Sequence, residues 1–369
     1  MAFSASQTST AAFSIQYRYQ LLEDSTRQIR LLRPDTSGDL LSFHLYDFEL
    51  SAAPSYYALS YTWGKPAPMY DILLGGRRFS VRRNLLQFLH IFAKRHPHDY
   101  IWIDQVCIDQ ENVAERNRQV QIMGNIYKTA AKVLIWLGEA DMAHATNSDV
   151  AEREDDSGPW DVSQLEATYS AEYWTRLWIV QEVLSANSIM IFHGNKSIEW
   201  SQYTNLMNRS HAPQPLLALD SIALRNISTP ILPEIALFSW KDSMCQDPRD
   251  HIYALQGLFT EQCRIEVDYV KPIRDVYLDA ALMILRTSTS KSHVVATTLA
   301  GLAEVMGLVF PDNRWLKRDE TFKRVVKRFR LATSSSLTEQ ERLNTARNML
   351  VMMLITYHWV SSESRSGNN

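Results

Sequence analysis

Trp174, Trp178 and Glu182 follow one another at four-residue intervals. In a helix, at ~100° per residue, that spacing sets two indoles and a carboxylate along one side. Tyr173, Leu177, Val180 and Leu184 would then make a separate apolar side. A carboxylate in line with two tryptophans suits the rim of an aromatic-lined cleft, where burial raises a carboxyl pKa and ring-stacking area is paired with a charge. The bland alternatives stay open at this point. Glu182 is a surface residue or an ion-pair partner of Arg176 or another arginine, and Trp174 and Trp178 are core residues.

Two further groups sit where short apolar runs stop. Ser60, Tyr61, Thr62 and Trp63 precede Gly64-Lys65, and Asp104 and Gln105 follow Tyr100–Ile103. In an open α/β sheet, ligands bind outside the carboxyl ends of the strands, so these two loops would meet on one edge. Asp104 and Asp109 have an alternative use as helix caps or turn formers.

The elements that must position these groups are legible from periodicity and breakers. Gln28–Leu32 and Leu40–Leu45 predict a hairpin turned by Pro34, Asp35 and Gly38. Tyr56–Thr62 predicts a strand. Ile72–Leu74 and Arg77–Val81 predict a second hairpin about Gly75-Gly76. Leu85, Leu89 and Phe92 recur at helical spacing over about 83–94. Tyr100–Ile103 is a short strand. Val120, Met123, Ile126 and Tyr127 stripe a helix over about 113–129, with Glu115, Arg116, Arg118 and Lys128 facing elsewhere. Ala131–Leu137 and Ile189–Phe192 are further strands, and one continuous helix is predicted from Ala171 to Ser185. Nearly unbroken apolar strands separated by helices read as a parallel sheet covered on both faces.

Beyond Trp200 the pattern is mainly helical, with helices predicted at Asp250–Leu258 and Pro272–Leu285. Residues 15–200 are read as one domain and 201–360 as a helical region packed on it or continuous with it. Residues 1–14 are read as a disordered leader, 140–163 as an acidic linker and 361–369 as a frayed tail.

Composition limits the function classes. The chain has 38 basic and 41 acidic residues, a net charge of −3, which gives no case for a general nucleic-acid binder. Three cysteines without CxxC spacing argue against a disulfide framework or a structural zinc site and favour a reducing, cytoplasmic setting. His251, His293 and His358 lack metal-ligand spacing, and no metal site is predicted. No GxGxxG element opens a strand–helix unit and no phosphate-loop lysine motif occurs, which disfavours an oxidoreductase or NTPase. The apolar stretches Val294–Phe310 and Met349–Val360 read as buried helices rather than transmembrane spans. Residues 313–330 carry eight basic side chains beside an apolar stripe of Phe322, Val325, Val326 and Phe329. That pattern fits a surface helix packed on its own domain, or one that touches anionic lipid or an acidic partner.

Several blocks together resemble one family. They are Tyr57-Ala-Leu-Ser-Tyr-Thr-Trp-Gly64, Asn84-Leu85, Ile101-Trp-Ile-Asp-Gln-Val-Cys-Ile-Asp-Gln110, Trp136-Leu-Gly138 and Tyr173-Trp-Thr-Arg-Leu-Trp-Ile-Val-Gln-Glu182. Weaker blocks follow at Asp247–Leu258, Asp268-Tyr269 and Val276-Tyr277. Over roughly 56–194 the chain resembles the heterokaryon-incompatibility (HET) domain family of filamentous fungi. Gln105-Val106 and Asp109 stand where Ala-Ile and Asn are commoner in that family. The resemblance implies a role in non-self recognition and programmed cell death. It also implies a distant likeness to Toll/interleukin-1 receptor (TIR) domains, hence a TIR-like or flavodoxin-like α/β core with added N-terminal hairpins and a helical C-terminal region.

Some TIR domains release nicotinamide from NAD, using a glutamate in a Trp-Cys-x-x-Glu motif. That motif falls on Trp178-Ile-Val-Gln-Glu182, with Ile179 in place of the cysteine. The resemblance therefore implies Glu182 as the catalytic carboxylate. Ser60, Tyr61, Trp63, Asp104, Trp174, Arg176 and Trp178 become candidate substrate-binding residues, with NAD consumed as substrate and no resident cofactor. It further implies self-association into a homo-oligomer, or assembly with other death-signalling proteins. The competing class is a non-enzymatic module that signals by proximity.

Overall fold

Short, nearly continuous apolar runs form the centre of a nine-stranded sheet in the computed structural model, which describes residues 15–38, 40–139, 160, 162–207, 230–288, 290 and 292–308. The predicted leader, most of the acidic linker, the basic segment 313–330, Met349–Val360, His358 and the tail lie outside the described residues. By compactness the chain divides into two units, whose described residues belong to Met1–Thr175 with Glu182–Asn226 in the first and to Arg176–Gln181 with Ile227–Asn369 in the second.

In the first unit the strands are β1 (Gln28–Asp35), β2 (Ser42–Glu49), β3 (Tyr56–Tyr61), β4 (Met69–Leu74), β5 (Arg77–Arg82), β6 (Tyr100–Trp102), β7 (Lys132–Trp136), β8 (Ile189–His193) and β9 (Lys196–Glu199). Their order is β5-β4-β2-β1-β6-β3-β7-β8-β9. The central four, β6-β3-β7-β8, are mutually parallel, with Ser60 opposite Ile135 and Ala58 opposite Trp102. Chain order reverses beside β3, because the chain goes from β3 to β6 on one side and then to β7 on the other. Both predicted hairpins form, and each is antiparallel, but Pro34 and Asp35 do not turn the first one, because they pair with Phe43 and Ser42 as the last residues of β1. Gly75 and Gly76 turn the second with φ of 57° and 72°, the left-handed pair a two-residue hairpin turn requires. The polar edge strand β9, unmarked by any apolar run, was not anticipated.

Helix α1 (Arg83–Arg95) buries the predicted Leu85, Leu89 and Phe92, together with Phe88. A short α2 (Asp104–Cys107) follows β6, and α3 (Val113–Thr129) buries Met123, Ile126 and Tyr127. One expectation for α3 fails: Glu115 does not face solvent. It is 3% exposed and paired with Arg30, itself 1% exposed. The Arg30 guanidinium also donates to the carbonyls of Cys107 and Gln20, and Glu115 accepts from the Asp109 amide. This buried pair therefore fastens the loop after β6. A buried carboxylate is tolerated when a cation and an amide satisfy its oxygens.

The predicted helix Ala171–Ser185 is also corrected. After α4 (Val162–Tyr169), residues Glu172–Thr175 form a 3-10 turn, and a new helix, α5, starts only at Trp178 and runs to Ser185. The Arg176 backbone bridges to Met244, and the Leu177 amide donates to the Met244 carbonyl. Those tertiary hydrogen bonds interrupt the helical ladder, so Trp174 is not on the helix that carries Trp178 and Glu182. Helix α6 (Trp200–Met207) closes the described part of the unit.

The second unit is helical. It contains α7 (Pro233–Ser239), α8 (Asp250–Tyr253), α9 (Ile273–Thr287) and α10 (Ser292–Val305), and its chain also includes the first turn of α5. Helix α9 buries Val276, Tyr277, Ala280, Ala281 and Ile284, and the Tyr277 hydroxyl donates to the Leu299 carbonyl. The predicted helix Asp250–Leu258 is shorter, ending at Tyr253 before a 3-10 turn at Gln256–Leu258. No described helix is long and apolar enough to cross a membrane.

Candidate active site

Strand β3 alternates side chains between the two sheet faces, and its last residues separate two polar clusters accordingly. Ser60 points to one face. Its hydroxyl hydrogen-bonds to Glu182 Oε2 and lies 2.6 Å from the Tyr173 hydroxyl. Tyr173 comes from the 3-10 turn and Glu182 from the second turn of α5. The three are 0%, 1% and 4% exposed, in the order Ser60, Tyr173, Glu182. The surface reading of Glu182 is therefore excluded. It is a buried carboxylate held at the carboxyl half of the central strand, next to the point where strand order reverses.

Tyr61 points to the other face, where its hydroxyl donates to Gln105 Oε1 at 3.1 Å. Two residues on, the Trp63 indole N–H donates to Asp104 Oδ2 at 2.8 Å. Asp104 Oδ1 accepts from the Gln105 amide at 2.7 Å, so the carboxylate is fixed from two directions. The Arg82 guanidinium lies 5.0 Å from the centre of the Trp63 ring and donates to the Gly64 carbonyl at 2.9 Å. A cation over an indole face is favourable by about 0.5–1 kcal/mol when exposed. The loops after β3 and β6 thus do meet, as the strand-end argument required.

Asn84, at the start of α1, ties the strand ends together. Its side-chain amide donates to the Thr62 carbonyl at 2.6 Å, and its Oδ1 accepts the Trp136 indole N–H at 2.8 Å. Gly64 (φ 71°) passes so close that an added Cβ would stand 3.2 Å from the Asn84 Cβ. Glycine is needed there for both conformation and space. The Asn84-Leu85 and Trp136-Leu137-Gly138 blocks are therefore the scaffold of this edge. Asn84 and Arg82 were not singled out for chemistry, and neither were the supports Arg30 and Glu115. The spacing Asn112-x-x-Glu115, a helix-start signature, was the available signal, and Asn112 does cap the Glu115 amide.

The remaining candidates fall elsewhere. Trp174 is 5% exposed. Its indole N–H donates to the Thr168 carbonyl at 2.8 Å, and its ring stacks on Tyr203 with centroids 6.1 Å apart. Trp178 and Arg176 belong to the second unit, where the Trp178 indole N–H donates to Asp250 Oδ2 at 3.1 Å. Asp250 also accepts from the Tyr269 hydroxyl at 2.6 Å, and burial pushes its carboxyl up to about 6. Among the described residues no three His, Cys, Asp or Glu side chains group as a metal set.

Residues 56–182 match the family model described as "Heterokaryon incompatibility protein (HET)". Over that stretch the chain is similar to HET domains. Its matched stretch runs from the first residue of β3 to the glutamate bonded to Ser60, so the family boundaries enclose the Ser60–Glu182 contact. Heterokaryon incompatibility protein 6, OR allele, of Neurospora crassa is 33% identical over 155 residues, 37% of this chain and 23% of that protein. Vegetative incompatibility protein HET-E-1 of Podospora anserina is 28% identical over 172 residues, 46% of this chain and 12% of that protein. The aligned stretches thus span less than a quarter of either relative. No solved structure matches the chain.

Proposed function

We propose that this HET-domain protein is an incompatibility effector acting in programmed cell death, and that its α/β unit hydrolyses the nicotinamide–ribose bond of NAD in an assembled state. The names of the two fungal relatives support the biological half of this reading. The chemical half is carried by one observation, the buried Glu182 carboxylate at the carboxyl half of β3. The parallel order β6-β3-β7-β8 is also that of flavodoxin-like winding, in which ligands bind where strand order reverses. That supports a TIR-like core.

In the reaction the C1′–N bond breaks and its electron pair stays on the pyridine nitrogen, so nicotinamide leaves neutral and needs no general acid. The ribose cation that remains is oxocarbenium-like, and a fixed carboxylate stabilises it. Water then adds at C1′ and releases a proton. Glu182 is the carboxylate of this scheme. Tyr61, Trp63 and Asp104 line the other side of the strand end, suited to stacking and to ribose hydroxyls. Self-association into a homo-oligomer would be the active form.

Nicotinamide release by the purified full chain tests this, with Glu182→Ala and Glu182→Gln alongside. Each substitution should lower the rate by at least ~100-fold. Activity surviving both removes Glu182 from the chemistry. A second reading, a non-enzymatic signalling module, draws on the same burial, since an enclosed Tyr173–Ser60–Glu182 network also serves to lock a fold. That reading expects Glu182→Gln and the wild type to trigger the same cellular response.

A further inference from the structure

Ser60 carries a single hydroxyl hydrogen but bonds to two oxygens, Glu182 Oε2 and the Tyr173 hydroxyl. A serine donates once and otherwise accepts, whereas an ionised carboxylate only accepts. With Glu182 ionised, the Ser60 hydrogen must therefore go to Glu182. Tyr173 must then give its own hydrogen to Ser60. The two bonds acquire one direction, from Tyr173 through Ser60 to the carboxylate. The trio is at most 4% exposed, which shields these bonds from competing solvent.

Three separate elements supply this chain. Ser60 is held in the β3–β7 ladder opposite Ile135. Tyr173 is fixed in the Glu172–Thr175 turn, which exists because the helical ladder is broken before Trp178. The interruption of the predicted helix thus has a use, because it frees Tyr173 from the helical register of Glu182. We propose that Ser60 is the positioning residue of Glu182, and that Tyr173, acting through Ser60, fixes the direction of the Ser60 hydrogen and so holds the carboxylate oriented and ionised. The proposal rests on Glu182 as the reacting carboxylate and reassigns Ser60 from substrate contact to support.

The test follows the Glu182 carboxyl itself, by NMR titration of the full chain carrying 13C-labelled glutamate, with Glu182→Gln to assign the signal. Removing a hydrogen-bond donor from a carboxylate disfavours its charged form. Ser60→Ala should therefore make Glu182 titrate at higher pH than in the wild type. Tyr173→Phe should move it the same way and less. The double variant should match Ser60→Ala alone, because Tyr173 has lost its route. An unchanged Glu182 titration in folded Ser60→Ala overturns the proposal. So does a Tyr173→Phe effect that persists undiminished in the Ser60→Ala background. Should Ser60→Ala fail to fold, Tyr173→Phe alone decides, and no shift there overturns the directed chain. In turnover, Ser60→Ala should lower kcat at least ~10-fold with little change in KM. The titration needs no turnover. Shifts as described without nicotinamide release would keep the positioning chain and remove NAD cleavage, whereas release without the shifts would do the reverse.

Discussion

Glu182 in the first unit and Asp250 in the second are equally hidden, at 4% and 7% exposure, and each accepts a hydrogen bond from a hydroxyl. Their settings differ. Glu182 hangs from a serine on the central parallel strand, beside the reversal of strand order. Asp250 opens a single turn of helix among Tyr253, Tyr269 and the Trp178 indole, in a helical core. Burial and hydroxyl donors are therefore common to both carboxylates and do not by themselves mark a site. Position at a strand end distinguishes Glu182 from Asp250, because there the backbone ladder stops and loops from several elements converge.

The hardest way to break that comparison is to give the first unit an unpaired buried carboxylate. Arg30→Ala strands Glu115 and should cost about 3–5 kcal/mol of stability in urea unfolding. Replacing the pair together, by Arg30→Met with Glu115→Leu, should cost far less. If the single and double variants are equally damaging, the pair acts through packing and not through charge.

Asp250 offers the next largest effect. Its folded carboxyl titrates at about 6 against 3.8 for the ordinary group, because burial disfavours the charge. Between those two values the folded state holds a proton that the unfolded chain has released. Stability of the second unit should therefore fall as pH rises from about 4 to about 6, opposite to the usual behaviour of an ion-paired acid. The difference of about 2 pH units sets a ceiling of ~3 kcal/mol. Hydrogen-exchange pulse labelling of residues 250–258 across urea titrations at the two pH values measures it. A transition that strengthens with pH would show that the Tyr269 and Trp178 hydrogen bonds outweigh burial.

Smaller effects sharpen the strand-end picture. Gly64→Ala forces a left-handed residue against Asn84 and should cost about 2 kcal/mol. Gly75→Ala meets nothing within 4 Å and should cost only about 1 kcal/mol, for the backbone conformation alone. Equal losses would mean that the Asn84 contact carries no weight. Smallest of all, Cys107 should resist alkylation at pH 8 in the folded chain, since burial pushes its thiol up to about 12. Labelling of Cys107 at the rate of a free thiol would show that the loop after β6 opens.

Much of the first unit was legible because its strands are apolar runs and its turns are punctuated by glycine. The β3 and β7 runs, the Gly75-Gly76 hairpin and the stripe of α1 all lie where periodicity put them. The meeting of Trp63 with Asp104 was foreseeable from strand ends alone. The burial of Glu115 was not, because its partner Arg30 lies 85 residues away and helical spacing carries no trace of it. The Trp174–Trp178–Glu182 alignment failed for a related reason. Spacing assumed one helix, and backbone pairing with Met244 cut that helix in two.

The sequence by itself determined the parallel α/β pattern, the blocks similar to the HET family and the chemical types gathered at the strand ends, since local periodicity and turn chemistry act over a few neighbouring residues. Only the tertiary structure decided which carboxylate is buried and what holds it. Those outcomes depend on hydrogen bonds between residues far apart in the chain, such as Ser60 and Glu182, whose worth is set by the exclusion of water and by which element the folded sheet brings alongside.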